Sequence, residues 1–125
     1  MKTIIFDLKN TLADNDGVIE STIRQVVLRL ASVDEINLYT MCEPWSFGVI
    51  NDNADFFAVF TKIILVKKKK LTDLAEFVAK CDDIVVIGDG VGEEITFARQ
   101  LKYRSVLVTS PAVLVARLKA EGDLI

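Results

Sequence analysis

Five short, apolar and mostly β-branched runs punctuate the chain, at residues 3–6, 36–39, 63–66, 84–87 and 105–108. Runs of this length without polar alternation suit strands buried on both faces. The stretches between them carry helical spacing instead. Ile19, Ile23, Val26, Val27 and Leu30 form one apolar face before the second run, and Leu71, Leu74, Val78 and Cys81 form another before the fourth. Ile95, Ala98 and Leu101 precede the fifth run, and Leu114 and Leu118 follow it. A strand-helix alternation kept up from end to end predicts one α/β domain over residues 1–125. Its architecture is a doubly wound, Rossmann-like parallel sheet with helices on both faces. Residues 42–62 break the rhythm: "CEPWSFG" reads as loop, and "NDNADFFAVFTK" has room for one helix.

What the chain lacks narrows its chemistry. It has no histidine, which excludes Ser-His and Cys-His nucleophile pairs and histidine-ligated metals. Two cysteines without CxxC spacing make no disulfide framework and point to a reducing compartment. Cys42 has no base to activate it and is expected as a small buried residue, with Trp45 and Phe47 covering the core. A net charge of −3 gives no pull toward nucleic acid. No apolar run approaches the roughly 18 residues of a membrane span. Asp7 interrupts the N-terminal apolar run too early for a signal peptide. The expectation is a cytoplasmic protein without nucleic-acid or membrane partners.

In open α/β sheets, ligands gather outside the carboxyl ends of the strands, where the strand order reverses. Each strand end here offers chemistry. Asp7 follows the first, Thr40 and Cys42 the second, Lys67 to Lys70 the third, and "GDGVGEE" the fourth. One acid, one hydroxyl, one cation and an acidic glycine loop thus meet at one edge. This set fits attack on a phosphate. A carboxylate nucleophile needs a metal to offset repulsion from the phosphoryl oxygens, and Mg²⁺ takes one or two carboxylates plus water and phosphate. A lysine and a hydroxyl then stabilise the group in transfer.

These stations, in this order, resemble the haloacid dehalogenase (HAD) superfamily of hydrolases. "FDLKNTL" matches its first motif through Asp7 and Thr11, Thr40 its second, a lysine of 67–70 its third, and "VVIGDGVGEEI" its fourth. The resemblance implies Mg²⁺-dependent phosphatase chemistry through an aspartyl-phosphate on Asp7. Asp7 and Asp89 would bind the metal, assisted by Glu94 or Glu93. Thr40 and one lysine would hold the phosphoryl oxygens. Lys70 is favoured because Leu74 and Val78 follow it at helical spacing. Asn10, in the first loop, joins them as a candidate substrate contact. Little more than one helix fits into residues 12–35 or into 71–83, so no large cap is expected. An open site suits a large phosphorylated substrate or a second copy of the chain as lid.

Lys9 departs from the pattern. The family carries a second carboxylate there, which protonates the leaving group and then activates water. A lysine, with a pKa ordinarily near 10.4, cannot take both roles at neutral pH. The metal contact of that position is a backbone carbonyl in the family, so Mg²⁺ binding survives the change. The ammonium is free to pair with Asp7 or Asp89 and compete with the metal. The two readings are therefore a phosphohydrolase with weakened acid-base chemistry and a non-catalytic binding or regulatory domain that keeps the fold. "GDGVGEE" follows the fourth strand, not the first, which argues against a dinucleotide glycine loop. Lysines after the third strand, where a receiver domain needs its phosphorylated Asp, argue against that class.

Overall fold

The computed structural model describes residues 2–76 and 83–120, so the proposed helical positions Val78 and Cys81 lie outside the described residues. Strands β1 (Thr3–Phe6), β2 (Glu35–Met41), β3 (Lys62–Val66), β4 (Ile84–Gly88) and β5 (Arg104–Leu107) alternate with helices. These are α1 (Ser21–Ala31), α2 (Pro44–Asp52), α3 (Ala54–Phe57), α4 (Leu71–Ala75), α5 (Glu94–Gln100) and α6 (Pro111–Ala120). The strands form one sheet in the order β3-β2-β1-β4-β5. All four pairings are parallel.

Strand alternation sends the side chains of each strand to opposite faces. Ile4 and Phe6 of β1, Ile36 and Leu38 of β2, and Val85 and Ile87 of β4 join one core. Ile23 and Val27 of α1, Leu114 of α6 and the aromatic group Phe56, Phe57 and Phe60 close it. Ile5, Tyr39, Ile84 and Val86 face the other way, onto Leu74 of α4 and Ala98 of α5. Both faces are covered, which is why the strands read as unbroken apolar runs.

The loop expected at "CEPWSFG" is instead the start of α2. Pro44 occupies its first turn, where a missing N–H costs nothing and the fixed φ is already helical. Cys42, expected inside, is exposed. Phe47 is likewise exposed, while Trp45 packs at the edge of the larger core.

From β1 the chain moves outward to β2 and β3, then returns to the other side for β4 and β5. The reversal lies between β1 and β4. Parallel neighbours diverge above that junction and leave a crevice at their carboxyl ends, so Asp7 and the loop after Gly88 are placed together by topology alone. The 7–20 loop and the 67–70 loop beside it contain no helix or named strand.

Candidate active site

Asp7 is the first residue past β1. Its backbone N–H donates to the Ile87 carbonyl at 2.9 Å, which ties it to β4. The chain then turns sharply: the N–H groups of Leu12 and Ala13 both donate to the Leu8 carbonyl at 3.0 Å. Leu8, Leu12 and Ala13 plug the turn into the core. Asn10 takes a left-handed conformation, φ 61°, which asparagine tolerates better than most residues. With Leu8 pinned inward, Lys9 points out.

The cation that reaches Asp7 is Lys69, not Lys70. The Lys69 ammonium donates to Asp7 Oδ1 at 2.9 Å and to Glu94 Oε1 at 2.6 Å, and its side chain is 2% exposed. It also lies 5.1 Å from the centroid of the Tyr39 ring, a favourable cation–π position. Lys70 is the extended residue that caps α4, φ −134° and ψ 151°. Its N–H donates to Asp73 Oδ2 at 2.9 Å and to the Tyr39 hydroxyl at 3.1 Å, and the hydroxyl in turn donates to Asp73 Oδ2 at 2.5 Å. Successive residues of an extended segment face opposite ways. Anchoring Lys70 at the helix start therefore sends Lys69 inward and leaves the Lys70 side chain exposed.

The start of α5 separates the two glutamates. Glu94 opens α5 and is 1% exposed, whereas Glu93 stands in solvent at the rim. The Glu94 carboxylate fits beneath the loop because two residues there lack a side chain. A Cβ on Gly90 would lie 1.7 Å from Glu94 Oε2, and one on Gly88 would lie 2.9 Å from Glu94 Cγ and 3.1 Å from Asp7 Cβ. Glycine at both positions is what lets the Glu94 carboxylate approach the loop this closely. Asp89, between them, completes the group: Asp7, Asp89 and Glu94 each offer an oxygen within 4.8 Å of the others. Glu94 Oε2 is buried and has no hydrogen-bond partner among the described residues. A buried carboxylate oxygen without a donor is costly, and three hard oxygen donors around it suit a divalent cation of the Mg²⁺ type.

Crowding of these acids sets the electrostatics. Burial pushes the Asp7 carboxyl up from 3.8 to about 8, with Asp89 and Glu94 acting in the same direction and Lys69 opposing them. Burial alone would lower the Lys69 ammonium, but Asp7 and Glu94 reverse this and hold it above its usual range. Three carboxylates around one ammonium leave the cluster short of positive charge.

Above the cluster is a cavity of about 160 Å³ lined by Asp7, Lys9, Asn10, Thr40, Met41, Glu43, Lys69, Asp89 and Glu93. At about 30 Å³ per water, it holds a phosphoryl group and a few waters, with the remainder of a larger ligand outside. Thr40, 3% exposed at the end of β2, is one wall. Thr11 is fully buried, and its hydroxyl has no partner among the described residues. Lys9 does not enter the carboxylate cluster. Its ammonium sits 5.3 Å from the centroid of the Trp45 ring, at the mouth. Glu43, at the same mouth, was not singled out by the sequence. Its only signal was an acid shortly after the second strand end. A wider groove of about 540 Å³, between Asp14, Val18 and Glu20 and the start of α6, contains none of the cluster residues.

No family model matches the chain, and no curated protein matches it. Solved structures do. YfnB of Bacillus subtilis, assigned to the HAD hydrolases and determined bound to magnesium, aligns with 73% of this chain at a TM-score of 0.59 and 12% identity. A chain of the Pnkp1/Rnl/Hen1 complex aligns with 87% at 0.61 and 12% identity. The core domain of a Streptococcus pneumoniae TIGR4 protein, assigned as a phosphoglycolate phosphatase, aligns with 83% at 0.58 and 20% identity. The alignments span 44%, 46% and 77% of those chains, so this chain matches under half the length of the first two. At these identities the likeness is one of fold: a five-stranded parallel α/β sheet shared with HAD hydrolases.

Proposed function

We propose that the chain is an uncapped, Mg²⁺-dependent phosphohydrolase of the HAD type, acting on phosphate monoesters through an aspartyl-phosphate on Asp7. The observation that carries this reading is the convergence of Asp7, Asp89 and Glu94 at the β1/β4 junction with Lys69 beside them. Asp7, Asp89 and Glu94 would hold the ion, which when bound offsets repulsion between a carboxylate and the phosphoryl oxygens. Asp7 attacks phosphorus. Lys69, already oriented by Glu94, and the Thr40 hydroxyl stabilise the equatorial oxygens. Lys70 is reassigned to capping α4, and Glu93 to the rim. Asn10, at the bend of the first loop, lines the cavity and meets the substrate there. That loop carries no inserted domain, so a bulky phosphorylated substrate reaches the cavity without a lid.

Lys9 supports a second reading, a binding or regulatory domain without turnover. With its ammonium on Trp45, it supplies no proton acceptor. The two readings separate with an aryl phosphate and Mg²⁺. The native chain is expected to turn over slowly, Asp7→Asn to abolish the reaction, and Lys9→Asp to accelerate it. Inertness of all three proteins overturns the enzyme reading and leaves the binding domain.

A further inference from the structure

Cleavage of a phosphate ester through a carboxylate needs a proton twice. The leaving oxygen must receive one, and the water that hydrolyses the aspartyl-phosphate must lose one. The carboxylates lining the cavity are Asp7, Asp89, Glu43 and Glu93. On the reading above, Asp7 is consumed as nucleophile and Asp89 as metal ligand. Lysines 9 and 69 are ammonium groups and accept nothing. The proton carrier is therefore Glu43 or Glu93.

The surroundings of the two differ. Glu93 is exposed and immediately precedes Glu94, on the side of the crevice built by β4 and α5. Glu43 is half-buried on the opposite wall, three residues past Thr40, in extended backbone just before α2. A glutamate in that place would ordinarily bond an N–H of the helix it precedes, but its carboxylate caps none. Trp45, two residues on, carries the Lys9 ammonium over its ring. The mouth of the cavity on this side thus has an unused carboxylate, an aromatic plate and a cation held away from the acids below. A carboxylate that is half-buried and unbonded is both reachable by solvent protons and free to turn toward a ligand.

We propose that Glu43 is the general acid and base of this site. As the Asp7 oxygen bonds to phosphorus, the P–O ester bond breaks and the Glu43 carboxyl gives its proton to the departing alkoxide, which leaves as the alcohol. Water then attacks the aspartyl-phosphate, Glu43 takes back one proton, and the P–O bond to Asp7 breaks to release inorganic phosphate and the carboxylate. The net change is ester plus water to alcohol plus phosphate.

The test compares the native chain, Glu43→Gln and Glu93→Gln on two substrates with Mg²⁺: p-nitrophenyl phosphate and an alkyl phosphate such as glycerol 2-phosphate. Nitrophenolate leaves without a proton, so Glu43→Gln should still phosphorylate Asp7. The expected result is a burst of one nitrophenolate per chain and a steady rate lowered about 10²–10⁴-fold. An acid-quenched sample should contain the phosphorylated chain by intact mass, which the native sample lacks. The alkyl phosphate should show no burst, and a burst with phosphorylated mass in Glu93→Gln in place of Glu43→Gln would overturn the assignment in favour of Glu93. Native rates in Glu43→Gln, or an equal loss on both substrates without a burst or phosphorylated mass, overturn the role of Glu43 while leaving the phosphatase reading standing. An inert native chain overturns both. Glu43 caps nothing, so its glutamine variant is expected to unfold at the native urea midpoint.

Discussion

Two shells of the same site follow different rules. The inner one, Asp7, Lys69 and Glu94, is buried, and its members are held to one another at 2.6–2.9 Å. The outer one, Lys9, Glu43 and Glu93, lies at the mouth of the same cavity, and its contacts are looser, as in the 5.3 Å stacking of Lys9 on Trp45. Burial makes each inner residue dependent on the others, because an unpaired charge there cannot turn to water. The rim carries no such constraint. A lysine at position 9 is tolerated because its backbone turns it outward, whereas a lysine among Asp89 and Glu94 would have to rebuild the cluster. Change in this site is therefore cheapest at the exposed rim, and most costly among the buried carboxylates and Lys69.

Breaking the inner shell should have the largest effect. Lys69→Met leaves Asp7 and Glu94 buried without their cation, and a loss of about 3–5 kcal/mol is expected in urea unfolding without Mg²⁺, partly restored when Mg²⁺ is added. Lys70→Met, one position along and exposed, should change stability by no more than about 0.5 kcal/mol. Equal losses for the two would erase the distinction between the shells.

The acid at the centre gives a pH signature of comparable size. Unfolded, Asp7 titrates near 3.8, and folded, near 8. Between those values the native state holds a proton that the unfolded chain has lost, so this contribution to stability falls as pH rises from about 4 to about 8. Asp7→Asn should flatten that limb and raise the urea midpoint at pH 8 in the absence of Mg²⁺. A midpoint below native there would show that the buried charge is not the cost it is taken to be.

Gly90→Ala tests how tightly the inner shell is packed. Its Cβ must displace the Glu94 carboxylate, with an expected cost of about 1–3 kcal/mol and weaker Mg²⁺ binding by titration calorimetry. The smallest effect belongs to the rim. A double-mutant cycle of Lys9→Met and Trp45→Ala should return a coupling of about 0.5–1 kcal/mol, typical of an exposed cation–π pair.

Periodicity was enough to place the strand ends to within two residues, because buried parallel strands leave no polar alternation to blur the signal. Thr3–Phe6 was bounded as observed, and the strand ends carrying Asp7 and "GDGVGEE" were expected at one edge of the sheet, while the junction of β1 with β4 is seen only in the structure. Two choices at the site turn on backbone details that spacing does not record. Choosing Lys70 counted helical spacing forward from the lysine run, but Lys69 is selected by the extended backbone before the helix, whose parity depends on the Tyr39–Asp73–Lys70 contacts. Those partners are separated by more than thirty residues from Tyr39, and no local pattern records them. Glu93 and Glu94 were equally open because spacing alone does not say which of two adjacent acids turns inward at the start of α5, although the flanking glycines of "GDG" mark the place where a side chain slides under the loop. Helix α2 was missed when "CEPWSFG" was read as loop, although proline in a first turn starts a helix.

Strand β3 is one of the two edges of the sheet: it pairs only with β2, and Ile63 is 39% exposed. Yet three residues past its end Lys69 reaches over β2 to grip Asp7 beyond β1 and Glu94 beyond β4. The ion pairs act as a clasp that fastens a frayable margin to the middle of the molecule. Anything that draws Glu94 or Asp7 away from Lys69 loosens the clasp, so the amides of Lys62–Val66 should exchange with deuterium at a rate that reports what the distant carboxylates are holding.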